Sequence, residues 1–259
     1  MDFLVQAGIT TGDRSFQFGD GIFTTIRVRA GVAEYWPLHL TRLQQGVTRL
    51  GFREPDWQQL SNQVQQAISA REQVIKVVIS RGHAGRGYSP AAVSGPDIYI
   101  STAGLPDYQR QQQLGIGLGL ARLQLGCQPL LAGIKHNNRL EQVLLKQELA
   151  GTGFDDLLVL DQRGFVTEAI AANVFFYRDG RWFTPLLDQA GVAGVMRQVL
   201  QQQLQAELVQ WPLDKLQGIE ALFCCNALCG VLPVHTFAEK PLQLAPVRQV
   251  QQELACYVV

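Results

Sequence analysis

The chain has 259 residues, 47% of them hydrophobic, with 22 Lys plus Arg balanced by 22 Asp plus Glu. That length and apolar content suit one large domain or two smaller ones, and the even charge argues against a phosphate-backbone binder, which needs a basic excess on one face. No apolar run approaches bilayer-spanning length and MDFLVQAGITTGDRS has no basic segment leading into an apolar one, so a soluble, untargeted chain with small-molecule partners is expected, neither membrane-bound nor nucleic-acid-bound.

In chain order, GIFTTIRVRAG and VAEYWP read as β-rich runs joined at Ala30-Gly31, a hairpin signal. Pro37 suits a first helical turn, and Leu40, Leu43, Val47 and Leu50 recur at helical spacing until Gly51. A second helix is predicted over Asp56 to Ala70, followed by strands VIKVVIS and DIYIST on either side of the polar loop RGHAGRGYSPAAVSGP. GLPDYQRQQQ lacks apolar periodicity and reads as a linker. This predicts an N-terminal α/β domain over 1–105, a linker over 106–114 and a C-terminal domain over 115–259.

The second part opens with the strand GIGLGLARLQ and continues through AGIKHNNRLEQVLL, which becomes a helix. Two hairpins follow, in DDLLVLDQRGFVTEA and NVFFYRDGRWFTP, then a helix from Val195 to Leu208, a buried strand ALFCCNAL and a terminal amphipathic helix. Strands outnumber helices and form hairpins, which predicts a mixed α+β chain rather than a doubly wound parallel sheet. Cys224, Cys225 and Cys229 crowd one apolar run of a chain with five cysteines, so reduced core thiols and a cytoplasmic location are expected. The histidines are scattered and no CxxC pair occurs, so no metal site is predicted.

Four signals carry chemistry. Lys135 emerges directly from the apolar turn LLAGI, where an amine can lose its charge and attack a carbonyl; an ordinary surface lysine is the alternative. Glu168, in the strand-like GFVTEAIAANVFF, is a carboxylate that needs a cationic partner, either a buried arginine or a protonated heterocycle. DQAGVAGVMRQVL brings a glycine-spaced turn into a helix, so the Val195 and Met196 amides can face an anion. Arg42, three residues from His39, is expected on the polar side of its helix, where it either meets a phosphate or is merely solvated.

Together, FQFGDGIFTTIRV, HLTRL, GIKHNNRLEQVLL, VTEAIAANVFF, AGVMRQ and CCNALCGVLPV resemble the fold-type IV pyridoxal phosphate enzymes, the group of branched-chain and D-amino-acid aminotransferases. Within that group AGIKHNNRLEQVL, SRGHAGRGYS and CNAL are most similar to the lyases acting on 4-amino-4-deoxychorismate. The resemblance implies a two-domain fold with a smaller N-terminal α/β sandwich and a larger C-terminal β-barrel-like domain with flanking helices. It also implies a homodimer. It makes Lys135 the imine-forming lysine and general base, and Glu168 the partner of the pyridine nitrogen. Arg42, the Val195 and Met196 amides and the Asn226-Ala227 turn would hold the phosphate.

Asn226-Ala227 replaces the Gly-Thr pair usual in the aminotransferases, Met196 replaces a frequent threonine, and KHNNRL lacks their common tyrosine. These departures fit the lyase, which releases pyruvate and 4-aminobenzoate in folate biosynthesis. An aminotransferase and a non-catalytic binding protein on the same scaffold are the competing readings. Arg81, Arg86 and Tyr88 are candidates for the substrate's carboxylates, and one of Thr24 and Thr25 should face the pocket. For His136 a structural hydrogen bond is expected.

Overall fold

The computed structural model describes residues 8–83, 87–91 and 93–257. The chain forms two compact units. The first reaches as far as Pro106 and takes in Ile134–Arg139; the second holds Asp107–Gly133 and the chain from Leu140 onward.

The first unit contains α1 (Arg14–Phe18), β1 (Gly21–Arg29), β2 (Val32–Ala33), α2 (Trp36–Leu50), α3 (Trp57–Gln66), β3 (Gln73–Ser80) and β4 (Asp97–Ala103). Its four strands lie in the order β2-β1-β3-β4, each pair antiparallel. Ala30 and Gly31 both take positive φ, 52° and 83°, the twist a two-residue hairpin needs. Alternation on β1 sends Ile22, Ile26 and Val28 into a core shared with Ile75, Val77 and Ile79 of β3 and with Leu43, Val47, Leu60 and Val64 of the two long helices.

Only Val32–Ala33 of VAEYWP is strand, because Tyr35 adopts φ 53° and turns the chain into α2. Gly51 closes that helix in the left-handed conformation. Asp56 caps α3, which stops short of Ala70: the Gln73 side chain takes the amides of Ser69 and Ala70 at 3.0 and 2.7 Å and bends the chain away.

The second unit contains α4 (Gln109–Leu114), β5 (Ile116–Leu120), α5 (Leu140–Ala150), β6 (Asp156–Leu160), β7 (Val166–Ala169), β8 (Asn173–Arg178), β9 (Arg181–Pro185), α6 (Val195–Gln203), β10 (Glu207–Val209), a 3-10 turn (Leu213–Gly218), β11 (Ala221–Asn226), β12 (Gly230–Phe237), β13 (Lys240–Pro241) and α7 (Ala245–Tyr257). Its sheet runs β10-β9-β8-β11-β12-β5-β6-β7, with β13 beside β12. Hairpin pairs dominate, but β5 is parallel to both β12 and β6. The sheet curls until its ends approach: Val166 on β7 donates to the Trp211 carbonyl, just beyond β10, at 2.9 Å. This is the barrel-like arrangement expected of the larger domain, with a core of Leu118, Leu158, Phe176, Leu222 and Val234.

Elements of the second unit also differ from the sequence reading. Part of the expected linker is the helix α4, whose Gln112 donates to the Cys229 carbonyl at 2.8 Å. α6 ends at Gln203, because Gln205 takes φ 48° and the chain continues as β10 along β9. β12 went unforeseen because Pro233 interrupts its run.

Candidate active site

Ile134–Arg139 runs along the start of β1. The Phe23 amide donates to the Lys135 carbonyl and the Asn137 amide to the Gly21 carbonyl, both at 2.9 Å, while Ile134 is buried in the core of the first unit. Arg139 grips the peptides on either side of the lysine, donating from Nε to the His136 carbonyl at 2.8 Å and from Nη2 to the Ile134 carbonyl at 3.1 Å. Half-buried, Lys135 carries its Nζ 4.7 Å from the centre of the Phe23 ring. A lysine so held has a fixed direction, which a surface loop lysine lacks.

Beside it lies a buried cluster built from β1 and α2. Arg42 Nη2 donates to Thr24 Oγ1, and the same oxygen lies 2.6 Å from His39 Nδ1. The Thr24 hydroxyl has one proton and two lone pairs, so it can accept from Arg42 while it pairs with Nδ1 in either tautomer of His39. His39 Nε2, Arg42 Nε and His136 Nδ1 are buried without a hydrogen-bond partner among the described residues. Burial, and then the Arg42 and Lys135 charges, pushes His39 well below the usual histidine range. Burial followed by Arg139 and Lys135 takes His136 down to about 4, and burial with Arg139 brings the Arg42 guanidinium to about 10. None of the groups acting on these three is a carboxylate. Neutral imidazoles among cations, with donors left over, make a receptor for an anion.

The second unit supplies a different set. Glu168 on β7 is 5% exposed, and its Oε2 accepts from the Val192 amide at 2.9 Å. Asn173 braces the turn that presents this amide, donating to the Val192 carbonyl at 2.8 Å and accepting from the Gly194 amide at 3.1 Å. Gly191 has φ 81°, and a Cβ there would fall 2.8 Å from Thr167 and 3.2 Å from Glu168 Oε2, so only glycine fits. α6 then starts at Val195 with Gly194 as a cap that has no side chain to offer the Val195 and Met196 amides. Buried Arg197 donates to Thr184 Oγ1 and to the Pro185 carbonyl, at 3.2 and 2.7 Å. Burial lowers its pKa, against the raising effect of Cys225 and Glu168.

The amino-transferase class IV family matches residues 21–237. The chain belongs to this family. It is 43% identical over 238 residues to the aminodeoxychorismate lyase of Vibrio harveyi, covering 89% of this chain and 88% of the relative. The crystal structure of the 4-amino-4-deoxychorismate lyase from Pseudomonas aeruginosa superposes with a TM-score of 0.89 at 32% identity, over 99% of both chains. The pyridoxal-phosphate-bound form of a hypothetical aminotransferase from Mycobacterium tuberculosis shares the fold, with a TM-score of 0.83 at 21% identity over 96% of this chain and 92% of that one.

In this class IV chain several residues expected from the sequence do other work. Arg42 and His39 lie on the buried face of α2, not on its polar side. Thr24 is the inward member of its pair, fully buried, while Thr25 faces the other way with Phe23. Arg81 is consumed within the fold: Nε pairs with Asp20 at 2.8 Å, Nη1 and Nη2 donate to the Gly51 and Leu50 carbonyls at the end of α2, and the guanidinium lies over Phe52. Each of its three guanidinium nitrogens thus has a partner within the first unit.

Tyr88 is 83% exposed and leans on Phe18; its carbonyl, with those of Gly87 and Ser89, is held by buried Arg14. Arg86 lies outside the described residues. The Asn226 side chain is spent on its own turn, accepting from the Leu228 and Cys229 amides and donating to Ala171, so only backbone remains there for a phosphate. His136 Nδ1 has no hydrogen-bond partner among the described residues. Cys224 and Cys225 are buried free thiols within β11. Asp13, His83 and Asp97 form a group of metal-ligand type, but its atoms are engaged: Asp13 accepts from Ser80 and Tyr99, and His83 bridges Asp97 and Thr10.

The residues missed from the sequence are Asn173 and Arg139. Both are polar residues next to turns already singled out, and that adjacency was the available signal.

Proposed function

We propose that the protein is a pyridoxal-phosphate-dependent lyase that converts 4-amino-4-deoxychorismate to 4-aminobenzoate and pyruvate. The observation that carries this reading is the 43% identity to a lyase of that name over nearly the whole chain, against 25% to a putative branched-chain aminotransferase of Methanocaldococcus jannaschii. The side chains fit the cofactor. Buried nitrogens of Arg42 and His39 lack partners among the described residues, and α6 begins with a cap that makes no side-chain hydrogen bond, which suits a phosphate. We assign the phosphate to Arg42, to the Val195 and Met196 amides and to the backbone at Asn226-Ala227, and the ring nitrogen to Glu168.

When bound, the cofactor supplies an aldehyde for an amine to condense with and a protonated ring that accepts electrons. Lys135 has two duties at one nitrogen. Its amine would hold the aldehyde end of the cofactor, and, when displaced by the substrate amine, Nζ would take the proton from the substrate carbon bearing that amine. The ring C–O bond to the enolpyruvyl group then breaks, pyruvate leaves with a proton on its methyl carbon, and the substrate ring becomes aromatic. Arg139 keeps Nζ aimed through both duties by its hold on the flanking carbonyls. Glu168, oriented by the Val192 amide, keeps the heterocycle protonated.

No helix among the described residues is long and apolar enough to cross a membrane. We place the enzyme in the cytoplasm, where its free cysteines stay reduced, as a homodimer; exposed Leu130, Leu140, Val143 and Leu144 of the second unit supply apolar surface for a partner. One preparation tests the reading. Purified protein should be yellow and carry a borohydride-fixed adduct on Lys135. It should sediment at twice the chain mass, release pyruvate from 4-amino-4-deoxychorismate, and form little glutamate from amino acids and 2-oxoglutarate. Efficient glutamate formation without pyruvate would assign it to the aminotransferases, and a colourless protein indifferent to added cofactor would make it a binding protein.

A further inference from the structure

In the second unit, the turn from Gly191 to Gly194 lies between the two places assigned to the cofactor. The Val192 amide donates to Glu168 Oε2 at 2.9 Å, and Gly194 opens α6 with its Val195 and Met196 amides. One side chain holds both parts. Asn173, 6% exposed, donates from Nδ2 to the Val192 carbonyl at 2.8 Å and accepts at Oδ1 from the Gly194 amide at 3.1 Å. Val192 is thereby fixed through both of its backbone groups, the N–H on Glu168 and the carbonyl on Asn173. The approach at the other end is just as close, since a Cβ on Gly194 would collide with Asn173 Oδ1.

Asn173 owes its place to the tight turn between β7 and β8. The Ala169 amide donates to the Ala172 carbonyl at 2.8 Å, which sets Glu168 and Asn173 on either side of that turn. Asn226 donates to the Ala171 carbonyl at 3.1 Å and ties the Asn226-Ala227 backbone to the same place. The Gly191–Gly194 turn is also gripped by backbone: the Gly133 amide donates to the Gly191 carbonyl at 2.9 Å and the Ala193 amide to the Gly133 carbonyl at 3.1 Å. Backbone pairing sets where the turn lies, and Asn173 sets how the Val192 and Gly194 peptides are aimed.

We infer that Asn173 is a positioning residue that locks the ring-nitrogen carboxylate and the phosphate cradle into one unit, so that neither end of the cofactor is held at full strength without it. The inference rests on the assignment of the ring nitrogen to Glu168 and of the phosphate to α6. A neutral amide suits the task because it donates to one group and accepts from another without adding charge. A carboxylate of the same shape would face the Val192 carbonyl acceptor against acceptor, and would set a negative charge at the start of α6 where the phosphate is assigned.

Full-length parent, Asn173→Ala and Asn173→Asp, each stripped of cofactor, are titrated with pyridoxal 5′-phosphate and with pyridoxal, which lacks the phosphate. Binding is read from visible absorbance and folding from circular dichroism. Asn173→Ala should keep the parental circular dichroism, lose pyridoxal phosphate affinity by about ten- to a hundred-fold and pyridoxal affinity by about three- to tenfold. Asn173→Asp keeps an acceptor for Gly194 and loses the donor for Val192, so it should bind pyridoxal as weakly as Asn173→Ala. Should Asn173→Ala fail to fold, the isosteric Asp variant carries the same comparison. Parental pyridoxal binding in the variants would confine Asn173 to the phosphate end and overturn the inference, and so would a fall in stability with both affinities unchanged. A parent that takes up neither ligand overturns the cofactor assignment and the inference together. One that loads the cofactor but releases no pyruvate from 4-amino-4-deoxychorismate sinks the lyase reading alone, and losses at both ends in the variants still support the inference.

Discussion

Around Lys135 the groups with displaced protonation, His39, Arg42 and His136, are moved by burial and by neighbouring cations. Around Glu168 a buried carboxylate is held by a backbone amide, and the turn presenting that amide is braced by the neutral side chain of Asn173. The first region gathers positive charge and spare donors, which is costly in an empty fold and useful once an anion binds. The second stabilises negative charge with fixed dipoles, so its geometry survives a change of charge. The lesson is that the two halves should respond differently to isosteric substitution: the carboxylate side should lose chemistry without losing structure, and the cationic side should lose both.

The sharpest break is Glu168→Gln. The amide oxygen can still accept from Val192, so folding and cofactor loading should persist, while turnover falls on the order of 10²–10³-fold. Circular dichroism and visible absorbance together with steady-state pyruvate release check it, and a variant that turns over normally would remove Glu168 from the chemistry.

Thr24→Val tests the other side. It removes the oxygen shared by Arg42 and His39 without changing shape, leaving a buried guanidinium donor unmet at a cost of about 1–3 kcal/mol. Thermal denaturation should show the drop, and cofactor affinity should fall with it. Thr25→Val, on the opposite face, should stay within about 0.5 kcal/mol.

The smallest effect concerns pH. His136 titrates near 4 in the folded chain, below its ordinary value of 6.5, so the unfolded chain binds more protons between those limits and stability rises with pH across that window, then levels off above it. His136→Asn should flatten the stability profile between pH 4 and 6.5 by at most one proton's worth of slope, read from urea midpoints at several pH values. An unchanged slope would mean that the imidazole is not held neutral.

Much of the local structure was legible because its causes lie within a few residues. The Ala30-Gly31 hairpin, the Gly51 stop, the Asp56 cap and the glycine turn into α6 are each set by backbone freedom or a capping side chain at fixed short spacing. Lys135 and Glu168 could likewise be singled out, because a charged residue beside an apolar turn or within a strand needs a partner. The identity of such partners was not legible. Arg81 looked free for substrate because Asp20 and Leu50, which it holds, lie 61 and 31 residues away. Arg42 and His39 looked solvent-facing because helical spacing ranks faces only relative to each other, and a face carrying Leu43 and Val47 is buried with its polar members included.

What the amino-acid order determined alone was therefore most of the elements, their caps and two charged side chains to single out, all governed by short-range sterics and hydrogen bonding. Tertiary structure decided that Ile134–Arg139 joins the first unit while the chain on both sides of it belongs to the second. It also turned Thr24 into the core, spent Arg81 on a helix end and brought Lys76 and Lys135 to the same ring. These outcomes depend on which strands pair and in what register, and register follows from burial summed over a whole sheet, which no single stretch of sequence contains.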